Sequence, residues 1–390
     1  MFYIKKCEEI SDKVLKMNKI TQILHTKSED KNAFPVNTPI YQSSAFKAHS
    51  PFFYSRKNNP NVEEIEKCVA ILEEANYALG TNTGMSAISI VLNILVPGGS
   101  LVVNKDIYGC SLKAFQKLTS KLGTRLIVLD LSEKKNYRLL PKDAQLLVFE
   151  TPTNPFLKTI DITSLSSYIK KINPKTLVVV DNTWATPLFQ QPLKWGADIV
   201  IHSATKYFSG HSDVMGGFIV TNNETIFKNL SEQRFYSGAI LEPFSAWLLK
   251  RSLQTFALRM KEHQRTTLEM KKFLKRFSQV EKIYYPEIDK KQLTGYGTLI
   301  FFEFRKDLVN QYENFMKELQ LFDSGTGMAC VTSMVAQPFS GSHSSLSENE
   351  KKEMGISKRL MRLSFGFENR NDLKNDLTGA FKRMSDGVSK

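Results

Sequence analysis

Five short apolar runs, at residues 100–103, 125–129, 145–149, 176–180 and 198–201, recur through the first half of the chain, with intervals between them long enough for helices. None alternates strictly between apolar and polar residues. Such runs fit strands buried on both faces, as in a parallel sheet with helices packed on either side. A helix is expected over 62–74, and a second from Gly84, with Ile88, Ile90, Val91 and Leu95 turned inward. Several runs end in polar residues: Glu150, Asp181, and His202 with Ser203. In open α/β sheets ligands sit at those carboxyl ends. Beyond about residue 240 the texture changes to long helical segments over 244–276, a strand-like stretch at 298–304 and a helix around 312–319. This reads as a smaller α+β unit in which Phe301, Phe302 and Phe304 belong to the core. The expected division is an N-terminal extension at 1–61, a large α/β unit at 62–245 and an α+β unit at 246–390.

A chain of 390 residues exceeds one ordinary core, so two or three closely packed units are expected. No apolar stretch approaches the roughly 20 residues of a membrane helix, which points to a soluble protein with no membrane partner. Cys7, Cys68, Cys110 and Cys330 form no CxxC pair, and Glu8, Glu9 and Asp12 interrupt the place of a signal peptide. Reduced thiols and a cytoplasmic location follow as expectations. Ile4, Cys7, Ile10, Val14 and Met17 recur at roughly helical spacing, as in a basic amphipathic helix or frayed extension over 2–18. The net charge of +14 comes from scattered lysines without a basic run interleaved with aromatics, so no nucleic-acid partner is expected, whereas anionic small substrates are compatible with it. The six histidines lack ligand spacing, so no metal site is expected.

Chemistry concentrates in residues 198–217, where Lys206 directly follows a buried strand amid Ser203 and Thr205. A lysine there can form a Schiff base if its surroundings favour the neutral amine, with the hydroxyls holding a phosphate; alone, it reads equally well as a loop cap. Asp181 ends a strand 25 residues earlier. It is either a helix N-cap or a carboxylate that keeps a pyridine nitrogen protonated, the condition under which pyridoxal phosphate acts as an electron sink.

The ordered set PIYQSSAF (39–46), YSRKNNPN (54–61), TGM (83–85), DIYGC (106–110), FETPTNP (149–155), VVVDNTWATP (178–187), HSATKYFSGHSDVMGG (202–217) and MRLSFGFEN (361–369) resembles the Cys/Met metabolism family of pyridoxal-phosphate enzymes. That is the cystathionine γ-synthase, cystathionine lyase and methionine γ-lyase group. The resemblance runs from about Thr21 to the C-terminus. It implies fold type I, an aspartate-aminotransferase-like large α/β domain with a smaller C-terminal α+β domain. It further implies pyridoxal 5′-phosphate on Lys206, its ring nitrogen on Asp181, and its phosphate on the backbone of Gly84 and Met85 with Ser203 and Thr205. Tyr108 would stack on the cofactor and exchange a proton, Asn154 would bond its phenolic oxygen, and Glu150 would support that loop. Tyr54 and Arg56 would reach the phosphate of a neighbouring subunit, implying a homodimer at least and a homotetramer by analogy. Arg362 would grip the α-carboxylate of an amino-acid substrate, with Ser333 assisting through its backbone.

Three positions depart from common family patterns. Cys110 stands where most members have glycine and methionine γ-lyases have cysteine. Lys113 replaces an arginine for a distal carboxylate. Thr332 replaces a glutamate typical of γ-synthases and γ-lyases. The resemblance implies trans-sulfuration chemistry at Cγ of an O-acylhomoserine or cystathionine, with cystathionine β-lyase or methionine γ-lyase as alternatives. An inactive scaffold or a nucleic-acid-binding protein is the remote alternative.

Overall fold

The computed structural model of the chain describes residues 18–26 and 35–386, so the helix expected over 2–18 lies outside them except for Asn18. Asn18 caps α1 (Lys19–His25) by accepting the Ile20 N–H. Helix α2 (Pro60–Glu73) opens with the Asn59 side chain as cap and proline at its first turn, where a missing N–H costs nothing, and closes at Glu74 with a φ of 53°. Next come β1 (Tyr77–Thr81), α3 (Gly84–Leu92), β2 (Ser100–Asn104), α4 (Gly109–Leu122), β3 (Arg125–Leu129), β4 (Ala144–Glu150), α5 (Ile162–Ile172) and β5 (Leu177–Asp181). The short α6 (Thr186–Phe189), β6 (Ile199–Ser203), β7 (Gly217–Thr221), α7 (Glu224–Ser237), α8 (Pro243–Leu253) and α9 (Phe256–Leu274) follow.

The first sheet has the order β1-β7-β6-β5-β4-β2-β3. β2 to β6 pair in parallel, and β7 runs antiparallel to both β1 and β6. Val178, Val179 and Val180 are fully buried, each worth roughly 1.5–3 kcal/mol relative to exposure, which is why the central runs carry no polar alternation. β3 departs from the expected burial on both faces: it is the edge strand, and its Arg125 and Val128 are exposed.

The second sheet, in the order β10-β11-β12-β9-β8, comprises β8 (Val280–Tyr284), β9 (Leu299–Phe304), β10 (Asp323–Ser324), β11 (Met334–Ala336) and β12 (Leu360–Ser364). Around it lie α10 (Tyr312–Glu318), α11 (Glu348–Met354) and α12 (Arg370–Asp386). Alternation along β9 sends Phe302 and Phe304 into the second core against Phe315 and Phe381, while Phe301 joins the first core. Helix α9 couples the two cores, burying Phe256 and Met260 in one and Met270 and Leu274 in the other. Its Arg259 donates to the carbonyls of Tyr207 and Phe208 at 2.8 and 3.3 Å and so fixes the turn that follows Lys206.

Candidate active site

The carboxyl ends of β4, β5 and β6 open into a cavity of about 520 Å³. Gly84, Met85, Tyr108, Asn154, Asp181, Ser203, Thr205 and Lys206 all line it, together with Glu150 and Cys110. Adjacent parallel strands explain the convergence: Glu150 is the register partner of Asp181, and Asp181 of Ile201, so successive strand ends deliver their terminal residues side by side.

At one end of the cavity lies the start of α3. Thr83 caps it by accepting the Ser86 N–H at 3.0 Å, leaving the first amides of the helix, from Gly84 and Met85, without intrahelical acceptors. A Cβ on Gly84 would stand 2.8 Å from Cβ of Ser203, so only glycine lets the helix start meet the serine this closely. Free amides at a positive helix end beside a serine hydroxyl form a phosphate cradle.

The floor is acidic. Thr183 donates its hydroxyl to Oδ1 of Asp181 at 2.5 Å and accepts the Ser203 N–H at 2.8 Å, tying the floor to the cradle. Burial raises the pKa of Asp181, while the hydrogen bonds from Thr183 and the charge of His202 work against that rise. Glu150 accepts the Tyr108 N–H at 3.0 Å. Its carboxyl is pushed well above the ordinary range, by burial first and by the Asp181 carboxylate second. Oδ1 of Asn154 is buried without a partner.

Lys206 supplies the amine of the set. Burial and the neighbouring Arg362 guanidinium lower its pKa, which favours the free amine. The Tyr108 phenol is pushed up to about 12 by burial and by the Cys110 thiol beside it, so it remains a proton donor at neutral pH. A phosphate cradle, a buried carboxylate, an unpartnered amide oxygen and an amine of lowered proton affinity fit the functional groups of pyridoxal phosphate.

Arg362 lies on β12, fully buried behind this constellation. Its guanidinium meets the carbonyls of Gly325 and Gly327 at 3.2 and 2.9 Å and the sulfur of Met328 at 3.6 Å, and Nε is unpartnered. No carboxylate among the described residues pairs with it, and burial lowers its pKa to about 10.

A profile of the family described as Cys/Met metabolism PLP-dependent enzyme matches residues 20–382. The chain belongs to the Cys/Met metabolism family. It is 35% identical over 378 residues to a cystathionine β-lyase of Lactococcus lactis subsp. cremoris, covering 93% of this chain and 98% of that protein. It is likewise 35% identical over 379 residues to a cystathionine γ-lyase of Dictyostelium discoideum, covering 93% and 97%. Among solved structures, a cystathionine γ-synthase from Xanthomonas oryzae pv. oryzae in complex with cystathionine superposes with a TM-score of 0.90 at 32% identity, over 95% of this chain and 99% of that one. The Cys/Met metabolism assignment makes this chain a PLP-dependent trans-sulfuration enzyme of the cystathionine lyase and synthase type, with pyridoxal 5′-phosphate as cofactor.

Five expected residues do not line the cavity: Arg362, which lies behind it, and Lys113, Ser333, Tyr54 and Arg56. Lys113 is held by the Glu350 carboxylate at 2.8 and 2.9 Å, so it is no free grip for a distal carboxylate. Ser333, expected to assist through its backbone, has its N–H and hydroxyl both donating to Glu368, at 2.6 and 2.8 Å. Tyr54 is partly exposed, and Arg56 donates to the Phe235 carbonyl at 3.0 Å and lies over that ring. Sequence reasoning missed Thr183, although it sits in the quoted motif around Asp181, and the segment from Gly341 to Ser344, which lines the cavity and has no periodic signal.

Proposed function

We propose that this enzyme cleaves the bond between Cγ and sulfur in thioether α-amino acids of the cystathionine type, releasing a thiol. The observation that carries the reading is Arg362, a buried guanidinium with no carboxylate of its own beside a buried lysine. Burying an unpaired cation is expensive, and a substrate α-carboxylate held through a two-pronged hydrogen-bonded fork supplies the missing charge. Held there, the substrate presents its Cα proton to Lys206. Bound through Gly84, Met85, Ser203, Thr205, Asn154 and Asp181, pyridoxal phosphate supplies the electron sink for the pair left at Cα.

Lys206 Nζ makes no hydrogen bond or ion pair among the described residues, leaving it free to follow the substrate from Cα to Cβ, the two carbons that must lose protons before a γ-substituent leaves. The neutral Tyr108 phenol is suited to protonate the departing sulfur. Lys113, engaged by Glu350, offers only a shared point charge to a distal carboxylate, which favours relaxed choice among thioether substrates. Tyr54 and Arg56, away from their own chain's cavity, suit a role in the phosphate site of a second copy. Product analysis tests the reading: 2-oxobutyrate and cysteine from cystathionine support it, whereas pyruvate and homocysteine as dominant products overturn it in favour of β-elimination.

A further inference from the structure

Behind the acidic floor, on the face of the first sheet turned away from the cavity, lies a buried cluster that the proposed chemistry does not use. Asn182 follows Asp181 on β5, and His202 follows Ile201, the register partner of Asp181, on β6. Both reach one atom: Oε1 of Glu73, at the end of α2, lies 2.9 Å from Nδ2 of Asn182 and 2.6 Å from Nε2 of His202. Glu73 and Asn182 have no exposed surface, and His202 is 2% exposed. The ring of Phe208 closes over the imidazole at 5.0 Å. A carboxylate this deep needs a matching charge, and the imidazole is the group that touches it.

We propose that Glu73 and His202 form a buried ion pair that places positive charge behind Asp181, making Glu73 and His202 positioning residues for the charge on the cofactor's ring nitrogen. The signs would then alternate from Glu73, negative, to His202, positive, to Asp181, negative, to a positive ring nitrogen. Asp181 needs this support because it is buried beside a second carboxyl, Glu150, and the only side-chain hydrogen-bond partner of its carboxylate among the described residues is the neutral Thr183. The field of His202 opposes the effect of burial on Asp181. The other charged groups facing the cluster come from α1 and the end of α2. Lys19 pairs with Glu74 at 3.7 Å and lies within range of Glu73, and it donates to the carbonyls of Leu72 and Pro187.

Glu73→Gln keeps the acceptor oxygen, and so both hydrogen bonds, and removes only the charge. Binding to the apoprotein is measured with two probes, pyridoxal phosphate and an analogue whose ring carries carbon in place of nitrogen. The variant is expected to lose about tenfold in affinity for pyridoxal phosphate, the equivalent of one pKa unit, while its affinity for the analogue stays within about twofold of the wild type. Equal losses for both probes, or none for either, overturn the proposal. Nitrogen-15 NMR of histidine-labelled wild-type protein gives a second reading that no substitution can disturb. The His202 ring is expected to carry protons on both nitrogens at neutral pH, and a neutral ring overturns the proposal. Failure of the wild type to bind pyridoxal phosphate at all would instead count against the cofactor assignment.

Discussion

Two cations just outside the cavity lining, Arg362 behind its wall and Lys113 on α4 beyond the rim residues Cys110 and Ser111, are treated in opposite ways. Arg362 behind the wall is fully buried and, among the described residues, meets only carbonyls and a thioether sulfur, whereas Lys113 is about a third exposed and matched by Glu350. The same Glu350 carboxylate accepts from Gln116 at 3.0 Å and caps α11 through Ser347. Four donors hold its pKa down at about 2, the hydrogen bonds from Gln116 and Lys113 foremost. A folded chain that neutralises this lysine so completely, yet leaves Arg362 with neither a counter-charge nor a partner for Nε, separates a structural cation from one that waits for a ligand.

The largest expected effect comes from removing the wall cation. Arg362→Met should lower kcat/KM by at least about 100-fold, since truncating one partner of a buried charge pair costs of order 2–5 kcal/mol. The thermal midpoint of the apoprotein should hold or rise, because the unmatched charge disappears with it. A large loss of apoprotein stability would make Arg362 structural and erase the contrast with the rim.

At the rim the expected effects are smaller. Glu350→Gln releases Lys113, so the preference for substrates with a distal carboxylate over neutral thioethers should rise by about twofold to fivefold, within the roughly 1 kcal/mol of a partly exposed ion pair. Lys113→Met should leave turnover of neutral thioethers within about twofold, on the same scale. Paired kinetics on cystathionine and a neutral thioether separate these outcomes, and a collapse of both activities in Lys113→Met would restore the lysine to the binding site.

Acid sharpens the comparison further. His343 is buried in the segment beside the cavity, and its pKa is lowered to about 4, chiefly by burial. The unfolded chain therefore takes up that proton first, and stability present above about 6.5 is lost as pH falls toward 4, by about 1–3 kcal/mol. Glu350 acts in a lower window: its depressed pKa contributes stability above about 4.5 that is lost as pH falls toward 2, less than about 1 kcal/mol for so exposed a pair. Denaturant titrations should show His343→Gln flattening the first window and Glu350→Gln the second, with the rim change the smaller of the two.

The sequence made the first sheet legible because its strands are buried on both faces and short, so apolar runs mark them and their polar ends mark the cavity. Lys206, Asp181 and Ser203 could be found this way because each lies at or just beyond a strand end, whereas Asn154 came only from the family resemblance. Lys113 could not be judged: nothing near it in sequence announces Glu350, which approaches from the second half of the chain. The same holds for Ser333, whose partner Glu368 lies across the turn that follows β12. The Glu73–His202 contact was hidden for a like reason, since it joins a helix end to a strand distant in sequence. Local pattern gives the elements, and long-range charge matching decides which polar residues remain available for ligands.

The lysine to which the cofactor attaches decides most directly whether this cavity is the active site. Protein equilibrated with pyridoxal phosphate is reduced with borohydride, digested and mapped by mass spectrometry. The phosphopyridoxyl group is expected on the peptide carrying Lys206, and no such fixation is expected at this peptide in Lys206→Ala. Attachment to a different lysine, or none to the folded protein, would contradict the assignment of this cavity as the active site.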